Sequence, residues 1–276
     1  MKASVIISTL NNPRWLEKVL WGYEAQSYTD FEIVIADDGS EEPTRQLIDR
    51  FKAESKLNLI HVWHPRNGYQ KCVILNKALQ AAASEYLIFT DGDCIPRHDF
   101  VERHILNAKQ GYYLSGGIVR LPMTTSEKLT QEDVRTGRAF DLRFLIQHGH
   151  KSNFLKNLKL ELNGIGANVM NALTTRKATW NGCNSSGWKS DLLAVNGFNE
   201  SMHYGGQDVE CGYRLNNRGI KGKQLVYSLA AIHLDHSRGY KTEESIRKNK
   251  QIIRETKSSG VDWTPFGIAK TVQAGQ

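Results

Sequence analysis

An alternation of apolar strand-like runs and amphipathic helical segments fills about the first ninety residues, and no other feature restricts the possible folds as strongly. The pattern predicts strands at residues 3–8, 31–36, 57–62 and 86–90, separated by helices at 13–26, 44–53 and 71–83. Strands and helices that alternate with short connections form a mostly parallel, doubly wound (Rossmann-like) α/β sheet with helices on both faces. Ligands of such sheets bind at the carboxyl ends of the strands, so we expect a site there.

The second half of the chain is less regular and is predicted to complete the same domain. The sequence indicates a strand at 116–120, helical segments over 127–147, a Gly- and Asn-rich loop at 163–171 and a helix at 209–216. We predict one domain over residues 1–240, with halves at 1–110 and 111–240, and a C-terminal helical extension at 241–276. That extension contains a basic amphipathic helix at 243–258.

Charge and cysteine content narrow the environment and the partners. The 36 Lys and Arg residues exceed the 29 Asp and Glu residues, and the net charge of +7 favours nucleotide diphosphates, nucleic acid or an anionic membrane surface. Four cysteines without metal-binding spacing are predicted to be free, buried thiols of a reducing compartment. The chain shows no signal peptide and no apolar run of the ~20 residues that span a bilayer. We expect a cytoplasmic protein that can still touch a membrane peripherally.

Two carboxylates flank a glycine where the fourth predicted strand ends, at Asp91, Gly92 and Asp93. On a turn that leaves a sheet, they can converge on one hard divalent cation such as Mn²⁺ or Mg²⁺. The cation would bridge the phosphates of a nucleotide diphosphate and neutralise charge as the diphosphate leaves. A plain turn is the alternative, because Asp and Gly are common turn residues. The position at the end of a strand favours the metal site.

A second acidic turn, from Asp37 through Asp38 to Ser40, follows the second predicted strand. A carboxylate there can accept the N3–H of a uracil ring, which cytosine lacks. The turn can also cap the next helix through Ser40, and the two interpretations are compatible. Arg66 and Lys71 flank the start of the third helix, where a basic pair suits a pyrophosphate. Solvated surface charges explain this basic pair equally well.

The segment from 196 to 210 combines aromatic, glycine and acidic residues ahead of a predicted helix. Its glycines, Gly205 and Gly206, let the backbone approach a ligand closely. Tyr204 can stack on the apolar face of a sugar ring, and Gln207 follows the glycines. Asp208, near the start of the helix, is placed to act as a general base toward a sugar hydroxyl. The alternative is that these residues form a helix cap.

Two histidines, His233 and His236, follow the apolar run 229–232. An imidazole at this place can complete a metal site that includes the Asp91–Asp93 turn. Pairs of histidines are more often part of a surface or a core. Because an acidic metal motif is already predicted, we expect at least one of the two to bind the metal.

Together these motifs resemble the family 2 glycosyltransferases of the GT-A fold. The resemblance rests on the segment 9–13 and on the two acidic turns, each after a strand and in this order. Residues 180–214 are similar to the galactosyltransferase-type segment of animal β-1,4-galactosyltransferases and bacterial chondroitin-type polymerases. The resemblance implies a UDP-sugar donor, Mn²⁺ or Mg²⁺, and inversion at the anomeric carbon. It also implies that 1–110 is the nucleotide-binding half and 111–240 the acceptor-binding half.

The resemblance implies roles for individual residues. Thr9 and Asp38 would hold uridine, and Arg66 would contact the uridine or the diphosphate. Asp91 would lie near the ribose or the metal. The other implied roles are metal ligation by Asp93 and by His236 or His233, base catalysis by Asp208, and acceptor stacking by Tyr204, which stands where relatives carry a Trp.

Two positions depart from the family pattern. Gln207 replaces the usual Glu, which makes one hydrogen bond to the acceptor neutral, and Leu10 stands where many relatives have Tyr. We expect a galactose-type donor sugar and a saccharide or glycolipid acceptor in the synthesis of bacterial surface polysaccharide or lipopolysaccharide. The basic C-terminal helix can either touch an anionic leaflet or pack on the domain.

Two other classes of protein share some of these sequence features. A nucleotidyltransferase also combines carboxylates, a metal and a parallel sheet, but it needs a glycine-rich basic phosphate loop after its first strand. Residues 9–13 have neither feature. A non-catalytic module that binds sugar or nucleic acid would not need acidic motifs at two strand ends. We therefore predict an enzyme, with no nucleic acid among its partners.

Overall fold

The computed structural model describes residues 1–151, 153–237 and 242–270. Within these residues the chain forms one eight-stranded sheet in the order β3-β2-β1-β4-β7-β6-β8-β5. The strands are β1 (Ala3–Thr9), β2 (Phe31–Asp37), β3 (Leu59–Trp63), β4 (Tyr86–Asp91), β5 (Cys94–Pro96), β6 (Tyr112–Arg120), β7 (Asn184–Trp188) and β8 (Lys221–His233).

Helices connect these strands, and several of them are short. The helices are α1 (Pro13–Glu24), α2 (Glu42–Glu54), α3 (Lys71–Ala81), α4 (Phe100–Asn107), α5 (Met123–Lys128), α6 (Gln131–Arg135), α7 (Leu142–Gln147), α8 (Phe154–Glu161), α9 (Gly164–Leu173), α10 (Lys189–Ala194), α11 (Gln207–Asn217) and α12 (Glu243–Ser259). A 3₁₀ turn, Arg138–Phe140, lies between α6 and α7. The helical segment predicted over 127–147 is therefore broken into separate short pieces.

The first four strands form the parallel half of the sheet, as the alternation predicts. β1 pairs in parallel with β2 and β4, and β2 pairs in parallel with β3. Every residue of β1 is buried, because successive side chains enter opposite cores. Val5 and Ile7 pack with α1 and α2 on one face, whereas Ile6 packs with α3 on the other. The predicted fold class, a mostly parallel α/β sheet covered by helices, is confirmed.

The second half adds strands that the sequence pattern did not predict. β7 is antiparallel to both β4 and β6, β8 is parallel to β6, and β5 is antiparallel to β8. β7 has the sequence Asn-Ser-Ser-Gly-Trp, which lacks an apolar alternation. Its Asn184 side chain is fully buried and donates hydrogen bonds to the backbone oxygens of Gly117 and Leu229. Hydrogen bonds therefore take the place of apolar contacts in this strand.

The loop predicted at 163–171 is wrong, because most of that segment belongs to α9. Gly and Asn residues in its sequence indicated a loop. The Asn side chains instead bind the neighbouring strand: Asn171 donates to Ser228 and accepts from the backbone N–H of Tyr227. A tertiary contact thus outweighs the weak helix preference of Asn.

The C-terminal helix packs on the body of the protein. The side chain of Asn249 in α12 donates to the backbone oxygen of His203, and Thr256 donates to Glu210 in α11. Of the two positions considered for the basic helix, packing on the domain is the one observed. The predicted extension is described over 242–270, and residues 238–241 and 271–276 lie outside the described residues.

The cysteines and the helices of the described part of the chain bear on its environment. All four cysteines are buried and free, as predicted. In the same residues, no helix has the length and apolar content needed to cross a membrane.

Candidate active site

A cleft of about 820 Å³ lies at the carboxyl ends of β1, β2 and β4, where the parallel sheet predicts a site. Side chains from the end of β8, from the turn before α11 and from α12 complete its walls. Nearly all the predicted site residues meet there: Thr9, Asp38, Arg66, Lys71, Asp91, Gly92, Asp93, Tyr204, Gly205, Gly206, Gln207, Asp208, His233 and His236.

Asp37, also predicted to contact the donor nucleotide, is the exception, because it does not line the cleft. Its carboxylate is fully buried below the cleft. One oxygen accepts the backbone N–H of Ser40 at 2.8 Å, and the other lies 2.9 Å from Nε2 of His61 on β3. Both oxygens therefore hold the acidic turn in place.

Asp38 faces the cleft and is tightly held. Its Oδ1 lies 2.8 Å from Nε2 of His64, and its Oδ2 accepts the backbone N–H of Gln70 at 3.0 Å. These contacts join the end of β2 to the loop before α3. The carboxylate is thus fixed in orientation while it remains part of the cleft wall.

The turn that carries Asp38 depends on a glycine. Gly39 has φ +84°, a conformation that side-chain-bearing residues rarely adopt. A Cβ at Gly39 would lie 2.6 Å from the Cα of Arg66. Glycine therefore allows the two backbones to touch, and this contact places Arg66 at the cleft.

Asp91 is bound to a lysine and a serine. Its Oδ1 accepts hydrogen bonds from Nζ of Lys71 at 2.5 Å and from Oγ of Ser8 at 2.6 Å. Burial acts to lower the pKa of Lys71, but the carboxylate of Asp91 outweighs it and holds that pKa well above its ordinary value. Lys71 is therefore a permanent cation in the cleft.

Asp93 lies in a different group of side chains, so the two carboxylates of the turn do not act as a matched pair. Its Oδ2 is 2.8 Å from Nε2 of His236 and 3.8 Å from Nε2 of His233. The two imidazole rings stack with centroids 5.5 Å apart. Asp93, Cys94 and His233 place one ligand atom each within 4.8 Å of one another.

The protonation of this group suits a hard cation. Burial acts to raise the pKa of Asp93, but the hydrogen bond with His236, together with the two nearby imidazoles, outweighs it and lowers the pKa. Burial outweighs the attraction of Asp93 and lowers the pKa of His233, which favours the neutral ring with a lone pair for a metal. The donors are therefore an ionised carboxylate and neutral imidazole, which bind Mn²⁺ and related ions.

Cys94 is kept out of that donor set by its own chemistry. A hydrogen bond with Cys183 and burial raise the pKa of the Cys94 thiol well above its ordinary value. The thiol donates to Oδ1 of Asp93 at 3.3 Å. Because thiolate rather than thiol binds metals, a protonated Cys94 disfavours a zinc site of the Cys–His type.

Asp208 stands at the second position of α11, directly after two glycines. Gly206 has φ +87° and turns the chain into the helix. One oxygen of Asp208 accepts the backbone N–H of Gly182 at 3.0 Å, and the other accepts that of Val209 at 2.9 Å. Two backbone donors thus fix the carboxylate as it faces the cleft.

Tyr204 and Gln207 form a small polar and aromatic cluster with Tyr69. The rings of Tyr69 and Tyr204 meet edge to face, with centroids 6.0 Å apart. The amide of Gln207 donates to the hydroxyl of Tyr69 at 3.2 Å and accepts the backbone N–H of Gly205 at 3.1 Å. The Gln that departs from the family pattern is therefore a fixed part of the wall.

The helix α12 supplies a further wall that the sequence did not predict. Ile246, Lys250 and Ile253 line the cleft from one face of α12. Ile246 and Ile253 also pack against the backbone of Gly205 and Gly206. The spacing of four and then three residues places them on one face of the helix, but the partner of that face is visible only in three dimensions.

Other cleft residues escaped prediction because their sequence signal is weak. Tyr69, Arg120 and Asn181 line the cleft, and Ser8 binds Asp91. Arg120 ends β6 in register with His233 on β8, a pairing between distant segments. Ser8 precedes Thr9 at the end of the first strand, and this position is the sequence feature that could have identified it as a residue of the site.

Two solved structures share this fold. S. aureus TarS (residues 1–349) in complex with UDP aligns with a TM-score of 0.61 at 16% identity, over 94% of this chain and 68% of that chain. Mannosyltransferase PcManGT from Pyrobaculum calidifontis, in complex with GDP-Man and Mn²⁺, aligns with a TM-score of 0.56 at 19% identity, over 86% of this chain and 58% of that chain. At such identities the likeness establishes the fold, which is the GT-A fold.

Sequence relatives cover most of the chain. The uncharacterized glycosyltransferase YfnE of Bacillus subtilis is 26% identical over 90% of this chain and 69% of its own length. Chondroitin synthase of Escherichia coli is also 26% identical, over 89% of this chain but only 37% of its own length. The family model described as Glycosyl transferase family 2 matches residues 4–180, which is more than half of the chain. The chain therefore belongs to glycosyl transferase family 2.

Proposed function

We propose that this chain moves a hexose or N-acetylhexosamine, most simply galactose or N-acetylgalactosamine, from a UDP-sugar to a saccharide acceptor, with inversion and with a divalent metal. One observation carries the proposal: the group of Asp93, His233 and His236 lines the same cleft as Asp208. A group of side chains that can bind a metal and an oriented carboxylate in one cleft are the two parts that such a transfer needs. Family membership favours sugar transfer over a nucleotidyltransferase or a non-catalytic module.

The metal assignment rests on the chemistry of the donors. An ionised carboxylate at Asp93 and the imidazoles of His233 and His236 fit Mn²⁺, and Mg²⁺ less well because of the nitrogen ligands. When bound, the ion supplies positive charge against the diphosphate as it leaves. The mannosyltransferase PcManGT, solved with GDP-Man and Mn²⁺, supports this choice of ion.

The donor assignment places uridine at the turn after β2 and the diphosphate beside the basic residues. Asp38 would accept the N3–H of uracil, and Thr9 would contact the nucleoside. Arg66 and Lys71 would face the diphosphate, with Asp91 and Gly92 near the ribose. TarS has been solved with UDP and with UDP-GlcNAc, which supports a uridine donor.

The transfer step uses Asp208 as the general base. An oxygen of Asp208 takes the proton of the acceptor hydroxyl, and that oxygen of the acceptor bonds to the anomeric carbon. The bond from this carbon to the diphosphate oxygen breaks on the opposite face, so the configuration inverts and UDP leaves. The backbone N–H groups of Gly182 and Val209 keep the carboxylate aimed during the step.

The acceptor lies, in this proposal, between the turn before α11 and the face of α12. Tyr204 would stack on the sugar ring, with Gly205, Gly206 and Gln207 around it. The galactosyltransferase-type resemblance of residues 180–214 points to the donor sugar. Relatives named as bacterial glycosyltransferases and chondroitin synthase suggest surface polysaccharide or lipopolysaccharide synthesis at the cytoplasmic face of a membrane.

Thermal unfolding with nucleotides tests the proposal directly. UDP, GDP, CDP and ADP are each added with and without Mn²⁺. With UDP at about one hundred times its Kd, binding should stabilise the fold by about 2.7 kcal/mol, and only in the presence of Mn²⁺. Equal or larger stabilisation by GDP would contradict the uridine donor, and stabilisation that ignores Mn²⁺ would contradict the metal site.

A pair of matched variants locates the metal. Asp93→Asn removes the carboxylate charge from the histidine group and should abolish the Mn²⁺-dependent part of the UDP effect. Asp235→Asn makes the same chemical change between the two histidines, on a side chain that does not line the cleft. Asp235→Asn should therefore behave like the wild type. Loss of the Mn²⁺ effect in both variants would point away from Asp93 as the ligand.

A further inference from the structure

The helix α9 presents its apolar side to solvent. Ile165, Val169 and Leu173 are 83%, 51% and 69% exposed. Their spacing of four residues places them in one stripe along the helix. A surface helix of a soluble protein normally turns such a stripe toward the core. An exposed apolar stripe of this kind is typical of a surface that contacts another molecule or a membrane.

The polar residues of α9 hold the helix in this orientation. Asn171 donates to Oγ of Ser228 at 2.7 Å and accepts the backbone N–H of Tyr227 at 3.0 Å. Asn168 accepts from Ser228 at 3.4 Å, and Ala167 is fully buried. Asn side chains thus bind the protein while the aliphatic side chains point away. The outward stripe is built into the fold by specific hydrogen bonds.

The chain around α9 is strongly basic. From 142 to 190, seven Lys and Arg residues stand against a single acidic residue, Glu161. Arg176 and Lys177 are exposed and follow directly after the C-terminal end of α9. From 162 to 190 the sequence has no Asp or Glu at all. An apolar stripe followed by cations in a segment of the sequence without acidic residues is complementary to anionic lipid headgroups over acyl chains.

We propose that the α9 stripe, with Arg176 and Lys177, is a docking surface for an anionic lipid bilayer. A second protein is a poorer fit, because three aliphatic side chains cover far less than the ~800 Å² per partner of a stable protein interface. A bilayer needs only a shallow apolar insertion and a nearby positive charge. This inference goes beyond sugar transfer and does not depend on the donor or acceptor proposed above.

The basic helix α12 is not the docking surface in this proposal. Its Ile246 and Ile253 pack on Gly205 and Gly206 and line the cleft, so they are turned away from any membrane. These two aliphatic side chains of α12 are therefore engaged with the cleft and do not form an outward stripe. Val261, Trp263 and Phe266 are exposed after the end of α12, but they lie outside any helix, whereas the exposed residues of α9 form one stripe along a helix.

Co-sedimentation with vesicles tests the proposal on the full chain. One set of vesicles contains phosphatidylcholine alone, and the other contains phosphatidylcholine mixed with phosphatidylglycerol. The wild type should sediment with the anionic vesicles at low salt and release at high salt. The triple variant Ile165→Gln, Val169→Gln and Leu173→Gln should lower the bound fraction about tenfold. Gln preserves helix preference, and circular dichroism checks that the variant folds.

Two control variants make the result specific. Leu106→Gln changes an apolar residue of α4 that is 75% exposed outside the stripe, and it should bind vesicles like the wild type. Lys248→Gln with Arg254→Gln removes two charges from α12 and should also leave binding unchanged. Wild-type chain that stays in solution with both vesicle types would overturn the proposal. So would a triple variant that binds as well as the wild type, or that only converts a dimer to a monomer in sedimentation velocity.

Discussion

Hydrogen bonds from the backbone orient the carboxylate of Asp208. Its two oxygens are each held by a main-chain N–H, one from Gly182 and one from Val209. No side chain among the described residues forms an ion pair with it within 4 Å. The carboxylate is therefore oriented without being neutralised by a contacting cation, which suits a group that must take a proton.

Asp208→Asn should lower turnover by about 10²- to 10⁴-fold, the usual contribution of a general base. The amide keeps the shape of the side chain but cannot take the proton. UDP binding should remain within about twofold of wild type, because the proposed base contacts the acceptor. Turnover is measured by UDP release and binding by calorimetry. Asp262→Asn, an exposed carboxylate paired with Arg218 far along the chain, serves as the control and should be fully active.

Residue type and strand-end position predict most of the cleft, but they do not separate adjacent carboxylates. Asp37 and Asp38 are equivalent in the sequence argument. In the structure Asp37 is the last residue of β2 and reaches His61 on β3, whereas Asp38 follows the strand and faces the cleft. That distinction needs the β2–β3 register, which pairs Ile35 with His61. The register of two strands depends on tertiary packing, so it cannot be deduced from the sequence of one segment.

At the scale of elements, the turn after β2 and the loop before α3 work as one unit. Gly39 touches the backbone of Arg66, and Asp38 accepts the N–H of Gln70 in the same loop. The two connections are distant in sequence but meet at one edge of the sheet. Their contact sets the position of the residues proposed to hold the donor.

Gly39→Ala should destabilise the fold by roughly 2–4 kcal/mol, because it adds left-handed strain to a backbone collision with Arg66. UDP binding should weaken at least about tenfold as the loop shifts. Gly68→Ala is the matched control in that loop, because Gly68 has φ +70° but open space around a new Cβ. It should lose only about 1 kcal/mol and retain UDP binding. Equal loss of binding in both variants would show that strain alone is responsible.

A second unit joins α4 to β7 through a buried histidine. His104 is fully buried, with Nδ1 2.7 Å from Oγ of Ser186 and Nε2 3.2 Å from Oδ1 of Asn184. Burial lowers the pKa of His104 to about 3. The folded protein therefore keeps this ring neutral at a pH where the unfolded chain protonates it. Stability from this effect is complete above the unfolded pKa of about 6.5 and falls as the pH drops toward 3.

His104 alone should account for about 2 kcal/mol of stability lost between about pH 7 and pH 5. His104→Gln lowers stability at both values but removes this part of the pH dependence. His98→Gln changes an exposed histidine and should keep the wild-type dependence. Urea unfolding at the two pH values measures each difference. A wild-type slope in His104→Gln would contradict the assignment.

Elements were predictable where burial follows a simple period. β1, β2 and β4 are continuous apolar runs because both of their faces are covered. β7 and α9 were missed for the opposite reason: Asn side chains in each satisfy buried backbone groups of another segment. Local composition suggests loops at both places. The secondary structure of these two segments depends on contacts with residues far along the chain, and a periodic pattern in the sequence does not reveal such contacts.

At the scale of the whole molecule, the C-terminal segment is tied to the body through Asn196. Nδ2 of Asn196 donates to the backbone oxygens of Thr264 and Ala269 at 2.7 and 2.9 Å, and Oδ1 accepts the N–H of Ala269 at 2.7 Å. Asn196 also has φ +64°, which Asn tolerates better than most residues. We therefore expect 242–270 to unfold together with the rest.

Asn196→Gly should destabilise the whole protein by about 3 kcal/mol, from three lost hydrogen bonds at about 1 kcal/mol each. Glycine keeps the positive φ, so the loss reports the side chain. Unfolding in calorimetry should remain a single transition at a lower temperature. Asn11→Gly, the same change at the other positive-φ asparagine of the described chain, loses one hydrogen bond to Glu41 and should cost about 1 kcal/mol. An unchanged main transition with a separate early step would contradict a single unit.

The parallel half of the sheet follows from the sequence because short helical crossovers join apolar strands in a regular alternation. The other half does not, since β5 pairs with β8 and β7 is inserted between β4 and β6. These pairings close loops of many residues, and their order depends on global packing. The carboxylates of the cleft were nonetheless predictable, because strand ends of one sheet meet at one edge.

The wall that α12 adds to the cleft has a consequence for the way the protein is made. Translation delivers the chain from its N-terminus, so the parallel strands with the nucleotide-side residues leave the ribosome long before Ile246 and Ile253. The opposite wall exists only once those residues have emerged and settled on Gly205 and Gly206. A nascent or truncated chain that ends before residue 253 is thus an open half-site, and the enclosed cleft is one of the last parts of the molecule to be assembled.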